Sequence, residues 1–442
     1  MELSGWGRFP RHESALITPH CREDLVRLQP DLTGFIARGN GRAYGDAGIG
    51  AIATLGLSGL NRMRRFDPAS GSLSVEAGVL LSDIITSFLP RGFFPPVVPG
   101  TKFVTIGGMI AADVHGKNHH GEGGFGKHIE SLTLLLPTGE TVTCARDLNA
   151  ELLAATIGGM GLTGTIMEAT FRLKRVETGW IRQSVVAAPD LGSAMDALSG
   201  GDSATYSVAW IDCLARGAKL GRSLVYLGEH ATGTELEAAK QAQPMPVNRE
   251  GKIAVPFDFP NFALNRWSVG AFNELYYRRG AAKAGRAFLT HWDTYFFPLD
   301  GIAAWNRIYG RRGFLQYQCV IPEPRAASVL GEILERVSRR GDASFLAVLK
   351  KLAGSEGQIS FPIPGFTLAL DFPVSDGVFP FLDELDALVI AAGGRLYLAK
   401  DARQTRATFE ASYPAHQRFC SIRRSVDRRT QIRSRMSERL GL

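Results

Sequence analysis

Short apolar segments separated by glycine-rich turns make up the first 165 residues of the chain. Residues 132–136 and 141–144 are apolar and flank a Pro-Thr-Gly-Glu turn, which predicts a β-hairpin. Residues 151–157 have the spacing of a helix, and residues 165–173 alternate between apolar and polar as a half-buried strand does. Because strands and helices mix without a regular strand–helix–strand repeat, the pattern predicts an α+β fold.

The hydrophobic pattern changes after about residue 185, where glycine becomes rarer and aromatic residues become more frequent. Residues 313–321 and 366–372 predict strands, whereas 230–262 predicts a helix followed by a long loop. A short strand and a basic helix follow Gly394. We therefore expect three parts, which are a first domain at 1–190, a substrate-binding domain at 191–393 and a C-terminal segment at 394–442 that returns to the first domain.

Composition and charge exclude some classes of protein without selecting one. Of the 442 residues, 45% are hydrophobic and 21% are charged, as in an ordinary globular protein. The net charge is +7 and the pI is about 9.2, with arginine pairs at 423–424 and 428–429. This excess favours either an anionic partner, such as a membrane surface or a lipid phosphate, or a solvated basic helix. No nucleic-acid-binding motif accompanies the charge, so we expect no nucleic acid partner.

Five widely spaced cysteines lack any Cys-x-x-Cys pair, which argues against a disulfide framework and against a zinc site. The N-terminal residues show neither the basic segment nor the apolar segment of a signal peptide. No uncharged apolar run reaches the ~18 residues that a membrane span requires. We therefore expect a cytoplasmic protein with reduced thiols.

A glycine-rich loop with the sequence Arg38-Gly-Asn-Gly-Arg-Ala-Tyr-Gly-Asp46 follows a short predicted strand. It resembles the dinucleotide fingerprint Gly-x-Gly-x-x-Gly, but that motif must open a helix. The residues that follow are Ala47-Gly-Ile-Gly, which do not favour a helix and argue against a Rossmann-type NAD site. Glycine amides in a loop can still bind a pyrophosphate, and a plain turn without a ligand is the alternative.

A second glycine-rich stretch lies between Pro99 and His120, where three histidines and a lysine follow a short apolar segment. Residues from Thr105 to Ala112 favour a helix, and a helix N-terminus attracts phosphate. His115 and His119 have i, i+4 spacing, but neighbouring glycines disfavour a continuous helix, and no carboxylate or cysteine has ligand spacing. We predict no metal site and assign these histidines either to ligand contact or to a structural polar loop.

Taken together, these loops resemble the PCMH-type FAD-binding domain of the vanillyl-alcohol oxidase superfamily. The motifs that carry this resemblance are Gly39-x-Gly-Arg-x-Tyr-Gly-Asp46, Pro99-Gly-Thr101, Thr105-x-Gly-Gly108, His115-Gly-Lys-Asn-His-His120, Leu135-Leu-Pro-Thr-Gly-Glu140 and Gly158-Gly-x-Gly-Leu-Thr-Gly164. Within the superfamily the chain is similar to flavin oxidases of polyprenyl-phosphoryl ribose, over nearly its whole length. The further motifs are Gly5-Trp-Gly-Arg8, Trp305-Asn-Arg-x-Tyr-Gly310, Gly313-Phe-Leu-Gln-Tyr-Gln318, Phe361-Pro-Ile-Pro-Gly365 and Gly394-Arg-Leu-Tyr-x-Ala-Lys-Asp401.

The resemblance implies that FAD lies between two subdomains of the first domain, beside a substrate domain built on an antiparallel sheet with helices. Some relatives hold FAD covalently through a histidine in the first glycine loop. This chain has Tyr44 there, so we expect non-covalent FAD. The implied cofactor contacts are Arg38, Gly39, Asn40, Gly41, Arg42, Ala43, Tyr44, Gly45, Asp46, Gly100, Thr105, Ile106, Gly107, Gly108, Ala112, Asp113, Val114, His115, Ile166 and Tyr397.

The reaction that the resemblance implies oxidises the 2′-hydroxyl of the ribose to a ketone and passes hydride to flavin N5. We therefore expect an FAD-dependent oxidoreductase with Lys400, His115 and Tyr44 as catalytic residues. Lys400 would steady the alkoxide or the charge on reduced flavin, and His115 would titrate nearer neutral pH. The residues implied around the sugar are Lys117, Tyr309, Gln316, Gln318 and Lys350.

Simpler roles compete with two of these assignments. Lys350 or Lys351 would equally serve as a solvated charge, and Tyr309 as a packing residue. One departure from the family pattern concerns the strand before Asp-Phe-Pro, where family members that are drug targets carry a cysteine and this chain has Ala369. Their neighbouring Trp-Asn is Phe366-Thr367 here. Because an apolar pocket wall can be alanine, we expect activity to survive this change.

Two other hypotheses stay open beside the favoured one. The first is an FAD oxidoreductase of a soluble alditol or aldonolactone, and the second is a non-catalytic sugar-lipid binding protein that kept the scaffold. Under the favoured hypothesis, the oxidation is the first half of an epimerisation to the arabinose form, used in cell wall biosynthesis. An NAD(P)H-dependent reductase would complete it, and the basic surface would suit peripheral contact with a membrane.

Overall fold

The computed structural model describes residues 1–247, 253–260, 264–341 and 346–442. Helices and mainly antiparallel sheets mix along the chain, which confirms the predicted α+β class. Two large sheets organise the molecule. One apolar cluster is built mainly from residues before 180, and another lies between the larger sheet and its helices.

The first large sheet has five antiparallel strands. In spatial order they are Thr141–Ala145, Ile129–Leu135, Thr165–Arg172, Ser72–Glu76 and Met63–Phe66. The predicted hairpin is confirmed, because Thr141 pairs with Leu135 across the Pro-Thr-Gly-Glu turn. The predicted helix over 151–157 is confirmed as Ala150–Thr156.

Three short parallel strands form a separate sheet. Their order is Ala15–Ile17, Ala53–Gly56 and Phe35–Arg38. The strand Phe35–Arg38 leads directly into the glycine-rich loop, as predicted. Because it is an outer strand of its sheet, the loop over residues 39–46 is able to approach other parts of the chain.

The second large sheet has eight strands, and each neighbouring pair is antiparallel. In spatial order they are Ala287–His291, Trp180–Ala188, Ser223–His230, Tyr206–Ile211, Ala347–Leu352, Gly365–Pro373, Phe314–Pro322 and Arg395–Leu396. The predicted strands over 313–321 and 366–372 are confirmed. Trp180–Ala188 and Arg395–Leu396 belong to this sheet, although the predicted substrate-binding domain, 191–393, includes neither of them.

Three helices pack on one face of the eight-stranded sheet. They are Leu191–Gly200, Glu323–Arg340 and Val378–Ala391. In Glu323–Arg340 the buried residues recur every three or four positions, so a single apolar stripe faces the sheet. Gly341 ends this helix in the left-handed conformation, at φ 81°, which glycine adopts without a Cβ clash.

The other elements are short. Three two-stranded sheets pair Glu2–Ser4 with Arg11–Glu13, Phe93–Phe94 with Lys174–Arg175, and Ile253–Ala254 with Ile302–Ala303. The other α-helices are Arg22–Leu28, Leu81–Phe88, Ile106–Ala111, His119–Glu122, Ala238–Gln241, Arg266–Ala281, Trp292–Phe296, Arg406–Ser412, His416–Val426 and Arg435–Leu440. None of the helices among the described residues is long and apolar enough to cross a membrane. The five cysteines form no disulfide.

The helix predicted at the start of 230–262 is reduced to the single turn Ala238–Gln241. Residues 248–252 and 261–262 of that stretch lie outside the described residues.

The C-terminal helix is tied to the glycine-rich loop by charge. Arg439 Nη2 donates to Asp46 Oδ1 at 2.7 Å, and its Nη1 donates to Asp401 Oδ2 at 2.8 Å. Both carboxylates are buried. Arg433 and Arg435 pair with Glu438, so part of the basic excess of the tail is balanced within the tail itself.

Replacing Arg439 with glutamine should destabilise the protein by about 2–4 kcal/mol, because two buried carboxylates lose their partner. Thermal unfolding measures the effect. Arg429→Gln is the matched control, because Arg429 is exposed and forms no ion pair among the described residues. Equal melting temperatures for the two variants would show that the fold does not need this contact.

Candidate active site

Along one strand, side chains point alternately to the apolar core and to the polar residues of the candidate site. In Phe314–Pro322, the side chains of Leu315, Tyr317 and Cys319 join the apolar cluster beneath the helices. Because successive residues of a strand point to opposite faces, Gln316 and Gln318 point away from those helices. The face of the sheet opposite the helices therefore carries the polar groups predicted to contact substrate.

The two neighbouring strands add to the same face by register. Gln318 lies opposite Ala369, and Lys350 lies opposite Thr367. The position at which family members carry cysteine thus lies among the polar residues of this face. Lys350 is therefore placed at the site, and not as a solvated charge.

Lys351 is the partly solvated charge that the sequence left open as an alternative for Lys350 or Lys351. It follows Lys350 in the strand and so points to the opposite face. Its Nζ lies 2.7 Å from Asp202 Oδ2, in a partly exposed ion pair. The two adjacent lysines therefore lie on opposite faces of the sheet.

Asp371 joins the predicted residues Tyr309 and Gln316 in one network. Tyr309 Oη donates to Asp371 Oδ2 at 3.0 Å, and Gln316 Nε2 donates to Asp371 Oδ1 at 2.6 Å. The Tyr309 ring also stacks on Phe314, with centroids 4.3 Å apart, so this tyrosine both packs and donates. Burial raises the pKa of Asp371 to about 7, although these two hydrogen bonds and Lys400 oppose the rise.

Sequence reasoning did not identify Asp371 as a functional residue. It follows the apolar residues of Gly365–Pro373 and is itself fully buried. A carboxylate at a buried strand position requires partners, because an unpaired buried charge is costly. That rule was the available signal, but the partners come from residues more than 50 positions away.

Lys400 lies where the C-terminal segment meets the glycine-rich loop. Its Nζ is 3.6 Å from the centroid of the Tyr44 ring. Burial lowers the pKa of Lys400 to about 7, Asp371 opposes this effect, and Lys350 adds to it. A substantial fraction of Lys400 is therefore a neutral amine near neutral pH. The structure brings together Lys400 and Tyr44, two of the three residues predicted to be catalytic.

His115, the third, contacts the polar face through Gln318. Gln318 Nε2 lies 3.0 Å from His115 Nε2 and 3.1 Å from Thr367 Oγ1. Because the assigned amide nitrogen donates, His115 Nε2 accepts, and the neutral ring carries its proton on Nδ1. Burial lowers the pKa of His115 well below its ordinary value, and nearby cations add to the effect. The expectation that His115 titrates nearer neutral pH is therefore wrong.

The Nδ1 atom of His115 is buried and has no hydrogen-bond partner among the described residues. In the tautomer set by Gln318, it is an N–H donor. A bound molecule with an acceptor oxygen would satisfy it. This geometry favours a role for His115 in orienting a ligand over a role as base.

Lys117 and Lys350 add further positive charge. Burial lowers the pKa of Lys117 to about 7 and that of Lys350 to about 8. Lys117 Nζ donates to the Tyr295 carbonyl and lies 4.2 Å from the centroid of the Tyr295 ring. Among the described residues, no carboxylate forms an ion pair with either lysine. Three half-buried lysines thus accompany one buried carboxylate, and an anionic ligand would reduce the desolvation cost of their charges.

The glycine-rich loop presents backbone donors. The N–H groups of residues 39–43 donate to no acceptor among the described residues. Gly41 lies at φ 63°, a conformation that turns the loop and that glycine adopts readily. A Cβ on Gly39 would lie 2.1 Å from Thr105 Oγ1, so only glycine lets the loop pass this close. Five consecutive free N–H groups suit an anion.

Side chains of the same loop serve the fold. Arg38 donates to the Ser4 carbonyl at 2.7 Å, and Asn40 donates to the Phe103 carbonyl at 2.8 Å. Arg42 lies 4.0 Å from the centroid of the Trp6 ring. These contacts fix the loop, and its backbone is left to meet a ligand.

The helix Ile106–Ala111 differs from expectation at its N-terminus. The N–H groups of its first turn donate to the carbonyls of Val79 and Ala77 at 3.0 and 2.8 Å, and to Thr105 Oγ1 at 3.3 Å. The predicted phosphate site therefore lacks free donors in that turn. The free donors lie instead in the adjacent loop, next to Thr105.

The other predicted cofactor contacts shape the surroundings of His115. Asp113, at φ 40°, accepts from a backbone N–H at 3.0 Å. Tyr397 Oη donates to the Ala112 carbonyl at 3.0 Å, and the Tyr397 and His115 ring centroids lie 5.2 Å apart. Val114 and Ile166 are buried in the apolar core. Gly100 faces open space, because a Cβ there would meet no atom within 4 Å.

Comparison with known proteins agrees with this arrangement. The model of the FAD binding domain family matches residues 15–145. Decaprenylphosphoryl-β-D-ribose oxidase from Mycolicibacterium smegmatis is 38% identical over 100% of this chain and 97% of its own length. An uncharacterised protein from Streptomyces coelicolor is 36% identical over 80% of this chain and 97% of its own length. L-gulonolactone oxidase from Scyliorhinus torazame is 29% identical over 26% of each chain.

The residues present fit FAD. Backbone N–H groups of residues 39–43 suit the pyrophosphate, and Gly100, which faces open space, lies within the matched region. The unpartnered Nδ1 of His115 and the ammonium group of Lys400 suit the polar edge of a flavin or the oxygens of a substrate.

We predict that Gly39→Ala weakens FAD binding by at least about tenfold, because the added Cβ displaces the loop from Thr105 and misaligns its donors. Titration of the apoprotein with FAD measures the affinity, and acid precipitation releases non-covalent flavin for counting. The matched control is Gly200→Ala, where a Cβ would meet no atom within 4 Å. Unchanged affinity in Gly39→Ala would rule out this loop as the cofactor grip, and flavin retained in the acid pellet would contradict non-covalent binding.

Proposed function

This chain belongs to the family of FAD-dependent oxidoreductases that includes decaprenylphosphoryl-β-D-ribose oxidase, and we propose that it oxidises the 2′-hydroxyl of a polyprenyl-phosphoryl pentose. The product is the 2′-keto sugar. The observation that carries the proposal is the group of half-buried lysines Lys117, Lys350 and Lys400 beside the Asp371 network. Cations that lack carboxylate partners suit a phosphate-bearing sugar better than a neutral polyol.

FAD, when bound, supplies the acceptor for the hydride that leaves the sugar carbon. The chain's own residues bind and orient the sugar. Tyr309 and Gln316 are fixed by Asp371, which leaves Gln316 with its carbonyl oxygen as an acceptor for a hydroxyl. His115 offers its Nδ1 proton to a substrate oxygen. Such buried groups cost free energy without a ligand, and a matched sugar hydroxyl recovers it.

We propose that Lys400 is the base that accepts the proton of the substrate hydroxyl. A base must be deprotonated before it can accept a proton, and a pKa of about 7 gives Lys400 a neutral fraction near neutral pH. His115 is less suited, because its Nε2 already accepts from Gln318 and its Nδ1 carries the ring proton. Tyr44, whose ring lies under the Lys400 ammonium group, holds that lysine in place.

The 2′-keto product suggests the place of this reaction in a longer sequence of steps. A 2′-keto sugar becomes the arabinose form when a second enzyme delivers hydride to the opposite face. We propose an NAD(P)H-dependent reductase as that partner, and access to the lipid-linked substrate at a membrane surface.

The substrate class is tested by anaerobic reduction of the bound flavin. We expect bleaching of the flavin absorbance by polyprenyl-phosphoryl ribose and not by free alditols or aldonolactones. Lys117→Met should weaken apparent binding of the phosphorylated sugar by at least about tenfold, because a cation for its phosphate is lost. Bleaching by free polyols alone would favour the soluble-substrate alternative. Absence of bound flavin would favour the non-catalytic one.

The proton assignment predicts opposite pH shifts in two variants. The rate of flavin reduction should rise as pH passes through about 7, because the neutral amine of Lys400 becomes abundant above its pKa. Asp371→Asn removes a carboxylate that raises this pKa, so the rising limb should move to lower pH. Lys350→Met removes a cation that lowers it, so the limb should move to higher pH.

Lys400→Met should lose about 100-fold or more in reduction rate, together with this limb. Stopped-flow measurement across pH gives both quantities, and FAD content gives an independent check of folding. Shifts in the same direction for Asp371→Asn and Lys350→Met would assign the limb to another group. So would a limb that persists in Lys400→Met.

A further inference from the structure

Exposed apolar side chains concentrate in one short part of the chain. Among the residues that the structure describes, 13 large hydrophobic residues are exposed, and seven of these lie from Val247 to Tyr276. Trp267 is 80% exposed, Val247 74%, Ile253 66% and Phe257 63%. Scattered single residues of this kind are ordinary on a protein surface, whereas contiguous exposed apolar surface marks interaction sites.

The helix Arg266–Ala281 at the centre of this region is held to the sheet by polar groups. Asn273 Nδ2 donates to the buried Asp212 at 2.7 Å, and Arg222 links Asp212 to Glu274 with 2.7 Å contacts to both. The helix buries only Val269 and Asn273 fully among its described residues. Aromatic side chains add to this attachment, because Tyr277 packs against a small apolar cluster of the sheet and the Tyr276 ring lies 4.7 Å from that of Trp210.

Two large apolar side chains lie on the outward side of this helix. Trp267 and Leu275 are exposed, and each is about 100° or more from Val269 around the helix axis. A soluble protein normally places such residues toward its core. Here Trp267 and Leu275 instead point outward beside basic residues, and tryptophan together with cationic side chains suits contact with a charged lipid surface.

Charge selects the kind of partner. Residues 264–286 contain five basic residues and one acidic residue, Glu274. That glutamate is already paired with Arg222 and Arg278. A second copy of this chain docked through the same surface would bring like charges together. An anionic lipid surface supplies the opposite charge, and tryptophan favours the boundary between lipid headgroups and chains.

This region continues into the candidate active site. Leu264, two residues before the helix, packs against the aromatic cluster that contains Tyr309 and Phe314. The segment that carries Phe257 is tied to the same cluster, because Arg307 donates to the Val255 carbonyl at 3.2 Å. A lipid surface at this helix would therefore adjoin the edge of the site that holds the Asp371 network.

We propose that Arg266–Ala281, with the exposed apolar residues of 247–257, forms a docking surface for an anionic phospholipid bilayer. Trp267 and Leu275 enter the headgroup boundary, and Arg279 and Lys283 meet lipid phosphates. The purpose of docking rests on the proposed lipid-linked substrate. The docking itself is measured without substrate, so the two proposals fail independently.

The experiment is co-sedimentation of the flavin-loaded full chain with phosphatidylcholine vesicles, with and without phosphatidylglycerol. We expect binding that requires phosphatidylglycerol and weakens with salt. The double variant Trp267→Ser and Leu275→Ser should lose at least about tenfold in vesicle affinity. Leu148→Ser is the matched apolar control, because Leu148 is 50% exposed elsewhere on the chain. Flavin content and melting temperature establish that each variant is folded.

A second pair of variants distinguishes this helix from the basic C-terminal segment. Arg279→Gln with Lys283→Gln should weaken binding, whereas Arg428→Gln with Arg429→Gln should leave it unchanged. The proposal is overturned if the protein does not bind vesicles, or if only the variant with Arg428→Gln and Arg429→Gln loses binding. It is also overturned if self-association of the protein explains the exposed surface. Retained reduction of the flavin by a short-chain substrate in the helix variants separates loss of docking from loss of catalysis.

Discussion

The close approach of the glycine-rich loop to the segment 399–401 is the contact on which the candidate site depends. A Cβ on Gly45 would lie 1.9 Å from the Asp401 carbonyl oxygen, so no other residue permits this approach without movement of the backbone. Tyr44 N donates to the Ala399 carbonyl at 2.9 Å in the same place. These two backbone contacts set Tyr44 beneath Lys400. Without them, the cofactor loop and the proposed base would belong to separate surfaces.

Burial has opposite effects on the two sides of the eight-stranded sheet. Toward the helices it removes apolar side chains from water and stabilises the fold. Toward the site it removes a carboxylate from water and partly removes three ammonium groups, which costs free energy and moves their pKa values toward neutrality. One strand therefore contributes to both outcomes through residues that alternate. The free energy gained by apolar burial on one face offsets the cost of desolvating charged groups on the other.

The sequence predicted much of this arrangement, for identifiable reasons. The Pro-Thr-Gly-Glu turn predicted the hairpin after residue 135, and the glycine spacing predicted the loop at 38–46. Both signals lie within a few residues of the feature that they predict. Lys350 and Lys351 could not be separated from the sequence, because the choice depends on which face of a strand meets the helices. The helix at Thr105 was expected to bind phosphate, yet distant carbonyls occupy its donors. Asp371 was missed because its partners are distant in sequence and meet it only in the folded chain.

The ion pair between Arg439 and Asp46 also constrains the order of events during synthesis. The two residues are 393 positions apart, and the loop that contains Asp46 leaves the ribosome long before Arg439 is made. Domains generally fold as they emerge, from the N-terminal end onward. The cofactor loop is an exception, because its final shape awaits a segment that is made 393 residues later. FAD is therefore expected to enter only after that segment has been made.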